Sequence, residues 1–215
     1  MNANPQHITS DIDQAAQWLQ QGKLLAYPTE SVWGIGCDPY NKQAVSQILA
    51  IKNRPIEKGM IVVTDSIDRI KPLLMQLSKT RRQQVIESWQ QDNSTDFLSN
   101  RQANTWLLPL STSDADCNTE AAIIPKWITG AHDSVAVRVI SHPLIQKLCQ
   151  NRTSKTNPYG FIVSTSCNPS QLNPATSFEQ AYDYFADSIF YLQGATLGYT
   201  LPSQIRDARS GVLIR

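Results

Sequence analysis

The chain has 215 residues, of which 41% are hydrophobic and 17% are charged, and its formal net charge is +1. This is the composition of a globular domain with a substantial core, and so low a net charge gives no overall field that calls for a nucleic acid or an anionic membrane. No apolar run approaches the roughly 20 residues of a membrane span. The polar N-terminus also lacks the basic-then-apolar order of a signal peptide. We therefore expect a cytoplasmic protein with no membrane segment.

The predicted elements of the N-terminal half alternate between helices and buried strands. Ser10 is predicted to cap a first helix that ends at Gly22, since serine is a favoured N-cap and glycine a common stop. The remaining elements of this half are a strand over 24–27, a helix around 45–49, a strand "MIVVT" over 60–64, and helices over 67–77 and 81–89.

In the C-terminal half, polar stretches separate further strands and helices. A polar, unpatterned stretch starting at Gln90 is predicted as a surface insertion over about 90–103, and "STSDADCNTEAA" as a second loop. Strands are predicted over 105–110, 134–140, 160–166, 188–192 and 211–215, and helices over 142–150 and 177–185. Because strands and helices mix without strict βαβ order, the pattern favours one mixed α/β domain.

Neither the cysteines nor the histidines form a metal-binding pattern. The cysteines lie far apart without CxxC spacing, which disfavours zinc, and a cytoplasmic location disfavours disulfides. The histidines do not cluster with carboxylates and are predicted to be surface or capping residues. No metal site is expected; the residues concerned are Cys37, Cys117, Cys149, Cys167, His7, His132 and His142.

The stretch "YPTESVWGIGCDPY", which begins at Tyr27, places hydroxyls, a carboxylate and glycines at the end of an apolar run. A tight turn would explain the Gly and Pro, whereas a ligand site would explain the hydroxyls. The chain has no Walker P-loop, and its GIG does not extend to GxGxxG. A GxSxG elbow and an HExxH motif are absent as well.

A second stretch, "IKNRPIEKG", places three cations within seven positions, namely Lys52, Arg54 and Lys58. They would suit a solvated helix end, because cations are favourable at helix C-termini. The alternative is a polyphosphate clamp without a P-loop, in which fixed cations meet phosphate oxygens.

The strand "SVAVRV" alternates, with Ser134, Ala136 and Arg138 on one face and valines on the other. A charge in such an apolar surround needs an anionic partner, because uncompensated charge is costly to desolvate. The partner of Arg138 is either an internal Asp or Glu or a substrate carboxylate held by two hydrogen bonds.

The stretch "IVSTSCNPS" ends another apolar strand with Ser164, Thr165, Ser166 and Asn168. These are ordinary turn residues, but strand ends are also where α/β folds bind ligands. With the cations, they predict a cavity for phosphates and a small polar substrate.

Six segments of the chain, taken in order, resemble the YrdC family of threonylcarbamoyl-AMP synthases in its short bacterial form. They are "YPTESVWGIGCDP", "KNRPIEKGMIVV", "WITGAHDSVAVRV", "HPL", "STSCN" and "PSQIRDA". The resemblance implies an α/β (α+β) fold, with a twisted mixed parallel and antiparallel sheet flanked by helices around a concave cavity. It also implies a single domain over 1–215, without the additional C-terminal domain of longer relatives.

The resemblance further implies a reaction of L-threonine, bicarbonate and ATP that gives threonylcarbamoyl-AMP and pyrophosphate for the t6A37 modification of tRNA.

ATP enters as a substrate, with Mg²⁺ as its expected companion ion. Transfer to tRNA would belong to the partner proteins TsaB, TsaD and TsaE, and the concave surface makes binding of tRNA or double-stranded RNA plausible.

Residues are carried over from the family position by position. The implied ATP-binding residues, of which Lys52 and Arg54 are also the implied catalytic residues, are Lys52, Arg54, Lys58, Ser134, Ser166, Asn168 and Arg215. The implied threonine-binding residues are Thr29, Ser31, Arg138, Ser164 and Ser203.

The chain departs from the family pattern at four places. Ser31 replaces a frequent threonine, Cys167 replaces an alanine, and Gln204 stands where a glutamate is common. The usual Pro-Gly-Pro after a tryptophan is missing behind Trp89. None of these changes removes a cation from the expected site.

Two other functions remain open from the sequence. One is an RNA-binding factor in ribosomal RNA maturation that uses the cavity only for the phosphate backbone, although no RNP1, KH or dsRBD signature is present. The other is an ATP-binding module without turnover.

Overall fold

The computed structural model describes residues 5–92, 102–110 and 124–215. Within these ranges the chain forms one nine-stranded sheet flanked by helices, with the strand order β1-β8-β2-β3-β7-β4-β6-β5-β9. Four neighbouring pairs are parallel (β1/β8, β8/β2, β4/β6 and β5/β9), and the other four are antiparallel. The prediction of a mixed sheet flanked by helices is confirmed.

The strands are short and come from the whole length of the chain. They are β1 Ile8–Thr9, β2 Leu25–Pro28, β3 Trp33–Gly36, β4 Ile61–Thr64, β5 Asn104–Pro109, β6 Ser134–Val139, β7 Ile162–Ser166, β8 Phe190–Leu192 and β9 Gln204–Asp207.

The helices lie between the strands in sequence. They are α1 Ile12–Gln20, α2 Lys42–Ile51, α3 Lys71–Leu74, α4 Lys79–Asp92, α5 Lys126–Thr129, α6 Pro143–Asn151 and α7 Phe178–Phe185. Short 3₁₀ turns cover Pro5–His7, Ile56–Lys58, Asp68–Ile70 and Ala186–Ser188.

Helix ends are fixed by side-chain caps. Asp11, rather than the predicted Ser10, caps α1, because its carboxylate accepts from the backbone N–H groups of Asp13 and Gln14. Ser177, where the sequence predicts this helix to begin, caps α7 by accepting from the backbone N–H of Gln180. Such caps satisfy amide groups that have no partner within the helix.

The two faces of the sheet pack against different helices. On one face, the valines of β6 join a large cluster that includes Trp33, Trp89 and Trp106 together with apolar residues of α2 and α4. On the other face, α1 and α6 cover a smaller cluster around Tyr27 and Ile162. The alternation predicted for β6 is confirmed, since its valines are buried and its intervening residues only partly so.

The second face continues beyond the smaller cluster, past the residues that α1 and α6 cover. Ser164 and Ser166 follow Ile162 on β7 at two-residue spacing, and Ser134 and Ala136 precede Arg138 on β6 in the same way. Since side chains two residues apart share a face, small and polar residues lie where the helical cover ends. This part of the sheet is the floor of a cavity.

Three strands and one terminal segment differ from the sequence prediction. Ile8–Thr9 forms a strand of only two residues that the sequence did not predict. Trp33–Gly36 and Gln204–Asp207 were not predicted either, because their glycines and polar residues hide the strand pattern. The segment 211–215 was predicted to be a strand, which is wrong. It forms an isolated bridge between Leu213 and Arg206 and a few backbone hydrogen bonds to β9, such as that from the N–H of Ile205 to the carbonyl of Arg215 at 2.8 Å.

The proposed insertion is only partly described. Helix α4 continues through residues 90–92, and 93–101 lie outside the described residues, as does the polar stretch 111–123 that contains Cys117. In the ranges that are described, no helix is both long enough and apolar enough to cross a membrane.

Gly36 allows β3 to lie close to β7. A Cβ atom at Gly36 would lie 2.1 Å from the carbonyl oxygen of Val163 and 2.8 Å from the hydroxyl of Tyr27. At Gly34, two residues earlier, the nearest atom would be a Tyr27 ring carbon at 3.1 Å. The backbone neighbour at Gly36 cannot move without separating the strands, whereas the side chains around Gly34 can adjust.

We therefore expect Gly36→Ala to lower the free energy of unfolding by about 3 kcal/mol or more, and Gly34→Ala to lower it by about 1 kcal/mol. Urea denaturation of both variants measures the difference. Equal losses would contradict the assignment of Gly36 as the point of close strand contact.

Candidate active site

A cavity of about 770 Å³ lies over the uncovered part of the sheet. Ten of the twelve residues that the resemblance implies for ligand binding line it: Thr29, Ser31, Arg54, Lys58, Ser134, Arg138, Ser164, Ser166, Ser203 and Arg215. Lys52 and Asn168 do not line the cavity but contact Ser166 or its neighbours from behind. Residues from distant parts of the sequence therefore meet in one place.

Lys52, just after α2, links that helix to the end of β7. Its Nζ donates to the carbonyl oxygen of Ser166 at 3.0 Å and to the carbonyl and side-chain oxygens of Asn168 at 2.8 and 2.7 Å. The Ser166 hydroxyl is a fourth neighbour at 3.3 Å. An ammonium group has three N–H donors, so Lys52 is fully engaged in holding this loop.

Arg54 and Lys58 are held at the cavity by the turn that follows α2. Arg54 Nε donates to the carbonyl oxygen of Gly59 at 2.9 Å, and its Nη2 donates to that of Lys58 at 3.1 Å. Burial lowers the pKa of Arg54, and the nearby charge of Arg215 lowers it further. Cations that repel one another in a partly buried site form a good receptor for a polyanion.

A hydrogen bond within its own turn orients the hydroxyl of Thr29. Thr29 Oγ1 donates to the carbonyl oxygen of Val32 at 2.7 Å, so that its lone pairs remain to accept from a ligand. Thr29 and Ser164 are both almost fully buried yet line the cavity. Under Ser164, the buried Tyr27 hydroxyl donates to the carbonyl oxygen of Val163 at 3.2 Å.

Arg138 has an internal anionic partner. Its Nη2 forms an ion pair with Oε2 of Glu30, and the two side chains are 11% and 1% exposed. Burial lowers the pKa of Arg138 to about 10, and the phenols of Tyr27 and Tyr199 oppose this decrease. The guanidinium therefore stays charged at neutral pH and lines the cavity.

The departures from the family pattern are accommodated within the fold. Cys167 is fully buried in the large core cluster, where burial raises the pKa of its thiol to about 12. Gln204 donates from Nε2 to Oδ1 of Asn104 at 2.7 Å and so joins β9 to β5. Trp89 is buried and donates to the carbonyl oxygen of Asn104 at 3.0 Å.

Sequence reasoning missed three residues near the site. Glu30 stands inside the quoted "YPTE" stretch, and the need of Arg138 for an anion was a signal that could have identified it. His132 lines the cavity and Tyr199 lies near Arg138. No local pattern in the sequence places these two residues at the site, because their positions depend on loops.

Among the described residues that line the cavity there is no Asp or Glu. The described parts of the chain also contain no group of three or more His, Cys, Asp or Glu side chains that could hold a metal ion. Because Mg²⁺ prefers carboxylate and phosphate oxygens, these residues do not fit a magnesium site of the protein's own.

Known proteins resemble this chain along nearly its whole length. A protein of Psychrobacter arcticus named threonylcarbamoyl-AMP synthase is 57% identical over 215 residues, which cover 97% of each chain. One of the same name from Acinetobacter baylyi is 46% identical over 208 residues, covering 97% of this chain and 98% of its own.

A solved structure shows the same fold. The crystal structure of P. abyssi Sua5 complexed with L-threonine superposes with a TM-score of 0.71 at 25% identity, over 91% of this chain and 50% of that one. The Sua5/YciO/YrdC family model, described as telomere recombination, matches residues 17–215. With this match, and with relatives so similar over their full length, the chain belongs to the Sua5/YciO/YrdC family.

Proposed function

We propose that the chain is a threonylcarbamoyl-AMP synthase, which joins L-threonine, bicarbonate and ATP to give threonylcarbamoyl-AMP and pyrophosphate. One observation carries the proposal: the cavity has a cationic part and a hydroxyl-rich part. The chain that forms it is 57% identical to a protein named threonylcarbamoyl-AMP synthase. The cations suit a triphosphate, and the hydroxyls with Arg138 suit a small hydroxylated amino acid. The RNA-binding alternative has no comparable observation in its favour.

The chemistry requires no covalent nucleophile from the protein. The ammonium group of threonine first loses a proton to the solvent, the resulting amine adds to the carbon of bicarbonate, water leaves, and a carbamate results. A carbamate oxygen then attacks the α-phosphorus of ATP, and the bond from that phosphorus to the bridging oxygen breaks as pyrophosphate leaves. Catalysis of this kind is mainly positioning and charge stabilisation.

For the nucleotide, Arg54, Lys58 and Arg215 would neutralise the phosphates, while Ser134 and Ser166 donate to them. Lys52 and Asn168 would act by holding the Ser166 loop in place, as their hydrogen bonds indicate. ATP would enter as its complex with Mg²⁺, in which the phosphates themselves supply ligands to the ion.

For the amino acid, Arg138 would bind the carboxylate, and Thr29, Ser31, Ser164 and Ser203 would meet the other polar groups. Hydrogen bonds to the substrate hydroxyl are needed to reject valine, since a pocket discriminates poorly between isosteres by shape alone. The lone pairs that Thr29 turns to the cavity suit a donor such as this hydroxyl or the amine.

We further propose that the product serves the first step of the t6A37 modification of tRNA in the cytoplasm. As the family resemblance implies, TsaB, TsaD and TsaE would then transfer the threonylcarbamoyl group to tRNA.

Replacing Arg54 tests the phosphate role. We expect Arg54→Ala to lower threonine-dependent pyrophosphate release by at least about 100-fold, because a fixed cation at the transferring phosphate is lost. Lys147→Ala removes an exposed cation of α6 that does not line the cavity; it is the control and should leave turnover unchanged. Thermal melting checks the fold of both variants, and near-normal turnover of a folded Arg54→Ala would refute the role.

Arg138→Lys tests the carboxylate role. A lysine keeps the charge but not the planar fork of donors, so we expect the Kd for threonine to rise at least about 10-fold and the Kd for ATP to change little. Calorimetric titration with each ligand measures both. Equal losses for the two ligands would contradict the assignment.

The protonation state of Lys52 predicts that the activity depends on pH. Burial, and next the charge of Arg54, lower the pKa of Lys52 from its usual value of about 10.5 to about 8. The ammonium that holds the Ser166 loop is therefore present below pH 8 and is lost as the pH rises, so kcat/KM for ATP should fall above about pH 8.

Lys52→Arg separates this effect from the titration of the substrates, since an arginine stays charged throughout the range. Whatever its absolute activity, this variant should lack the alkaline decrease that begins near pH 8. The same decrease in both enzymes would show that Lys52 is not its source.

A further inference from the structure

Glu30 is buried directly behind the cavity, with both carboxylate oxygens engaged. Its Oε1 accepts from the backbone N–H of Ser141 at 2.7 Å, and its Oε2 pairs with Nη2 of Arg138. Its backbone carbonyl accepts from the N–H of Tyr199 at 2.9 Å. Glu30 does not line the cavity itself, so it can reach a ligand only through its neighbours.

A contribution to the stability of the fold does not by itself explain why this buried ion pair is present. Two charges that leave water lose hydration energy that their attraction often fails to recover, and a well-packed apolar pair is frequently as stable. A guanidinium is planar and rigid, so an anchor on one Nη fixes the direction of its other N–H groups. An anchored Arg138 therefore presents the same donors to every ligand.

We propose that Glu30 is a positioning residue that orients Arg138 toward the carboxylate of the amino-acid substrate. This inference rests on the proposed function and deepens it, because it makes a residue without ligand contact a determinant of amino-acid affinity.

The chemistry of the two contacts shows which substitution is informative. One oxygen of Glu30 accepts a hydrogen bond from a backbone amide, and the other is ion-paired with a guanidinium. A glutamine of the same shape has one acceptor oxygen and one NH₂ donor group. Its NH₂ group must therefore face either the backbone N–H of Ser141 or the guanidinium of Arg138, and both of these are donors. Glu30→Gln thus disturbs Arg138 or the Ser141 backbone while nearly preserving volume.

We expect Glu30→Gln to raise the Kd for L-threonine at least about 10-fold and to change the Kd for ATP by less than about threefold. Calorimetric titration of the full chain with L-threonine and with ATP measures both. Equal weakening of the two ligands, or unchanged threonine affinity, would overturn the proposal.

Asp38→Asn is a closely matched control outside the cavity. Asp38 also accepts from a backbone amide, that of Tyr40 at 2.9 Å, and pairs with a largely buried arginine, Arg152. We expect both substitutions to lower the melting temperature but only Glu30→Gln to weaken threonine binding. If Asp38→Asn weakened threonine binding as much, the effect would be a general consequence of lost stability and the proposal would fail.

A double-mutant cycle tests whether Glu30 acts through Arg138. Because the orientation of Arg138 is already lost in Glu30→Gln, adding Arg138→Lys should cost less threonine affinity than it does in the wild-type chain. Additive losses would mean that the residues act independently, which would overturn the proposal.

Should Glu30→Gln fail to fold, Glu30→Asp replaces it, since it keeps both acceptors but withdraws the carboxylate by one methylene. Its Kd for threonine should rise at least about threefold with ATP affinity unchanged, and an unchanged threonine Kd would overturn the inference. The wild-type chain in the same assays separates the two proposals. If it shows no threonine-dependent pyrophosphate release, the proposed function fails, whereas normal release with an unaffected Glu30→Gln refutes only the role of Glu30.

Discussion

The ion pair between Glu30 and Arg138 joins parts of the sheet that are not neighbours. Glu30 follows β2, and Arg138 lies on β6, with β3, β7 and β4 between these strands. Of the two residues, Arg138 lines the cavity, and Glu30 is buried beside it. Without the carboxylate, Arg138 would be an uncompensated charge in a largely apolar surround, which is costly. The amino-acid end of the cavity depends on this compensation.

At the other end of the cavity, the main electrostatic interaction is repulsion between neighbouring cations rather than the pairing of a cation with an anion. Burial lowers the pKa values of Arg54 and Lys52, and the charges of Arg215 and Arg54, respectively, lower them further. The hydrogen bonds of Lys52 and Arg54 to carbonyl oxygens hold these charges in place. A site that is fixed before its ligand arrives loses little energy in reorganisation when a polyanion binds.

A strand was predicted correctly where the hydrophobic pattern of its sequence is clear, and it was missed where that pattern is hidden. Strand β6 was predicted because its valines alternate with Ser134, Ala136 and Arg138, and β4 because it is a continuous apolar run. Strand β3 was missed because two of its four residues are glycines, which allow the close contact with Tyr27 and β7. The tail 211–215 looks like a strand by composition but pairs with β9 through one isolated bridge and a few backbone hydrogen bonds.

By itself the sequence determined that the chain is one mixed α/β domain and which short motifs carry its chemistry, because apolar periodicity and motif residues are local properties. It also determined that Arg138 needs an anion. Only the tertiary structure decided that this anion is Glu30, and that Lys52 faces the loop after β7 rather than the open cavity. Both partners lie more than 100 residues away in the chain, and such pairings are set by the order and register of strands, which no local pattern encodes.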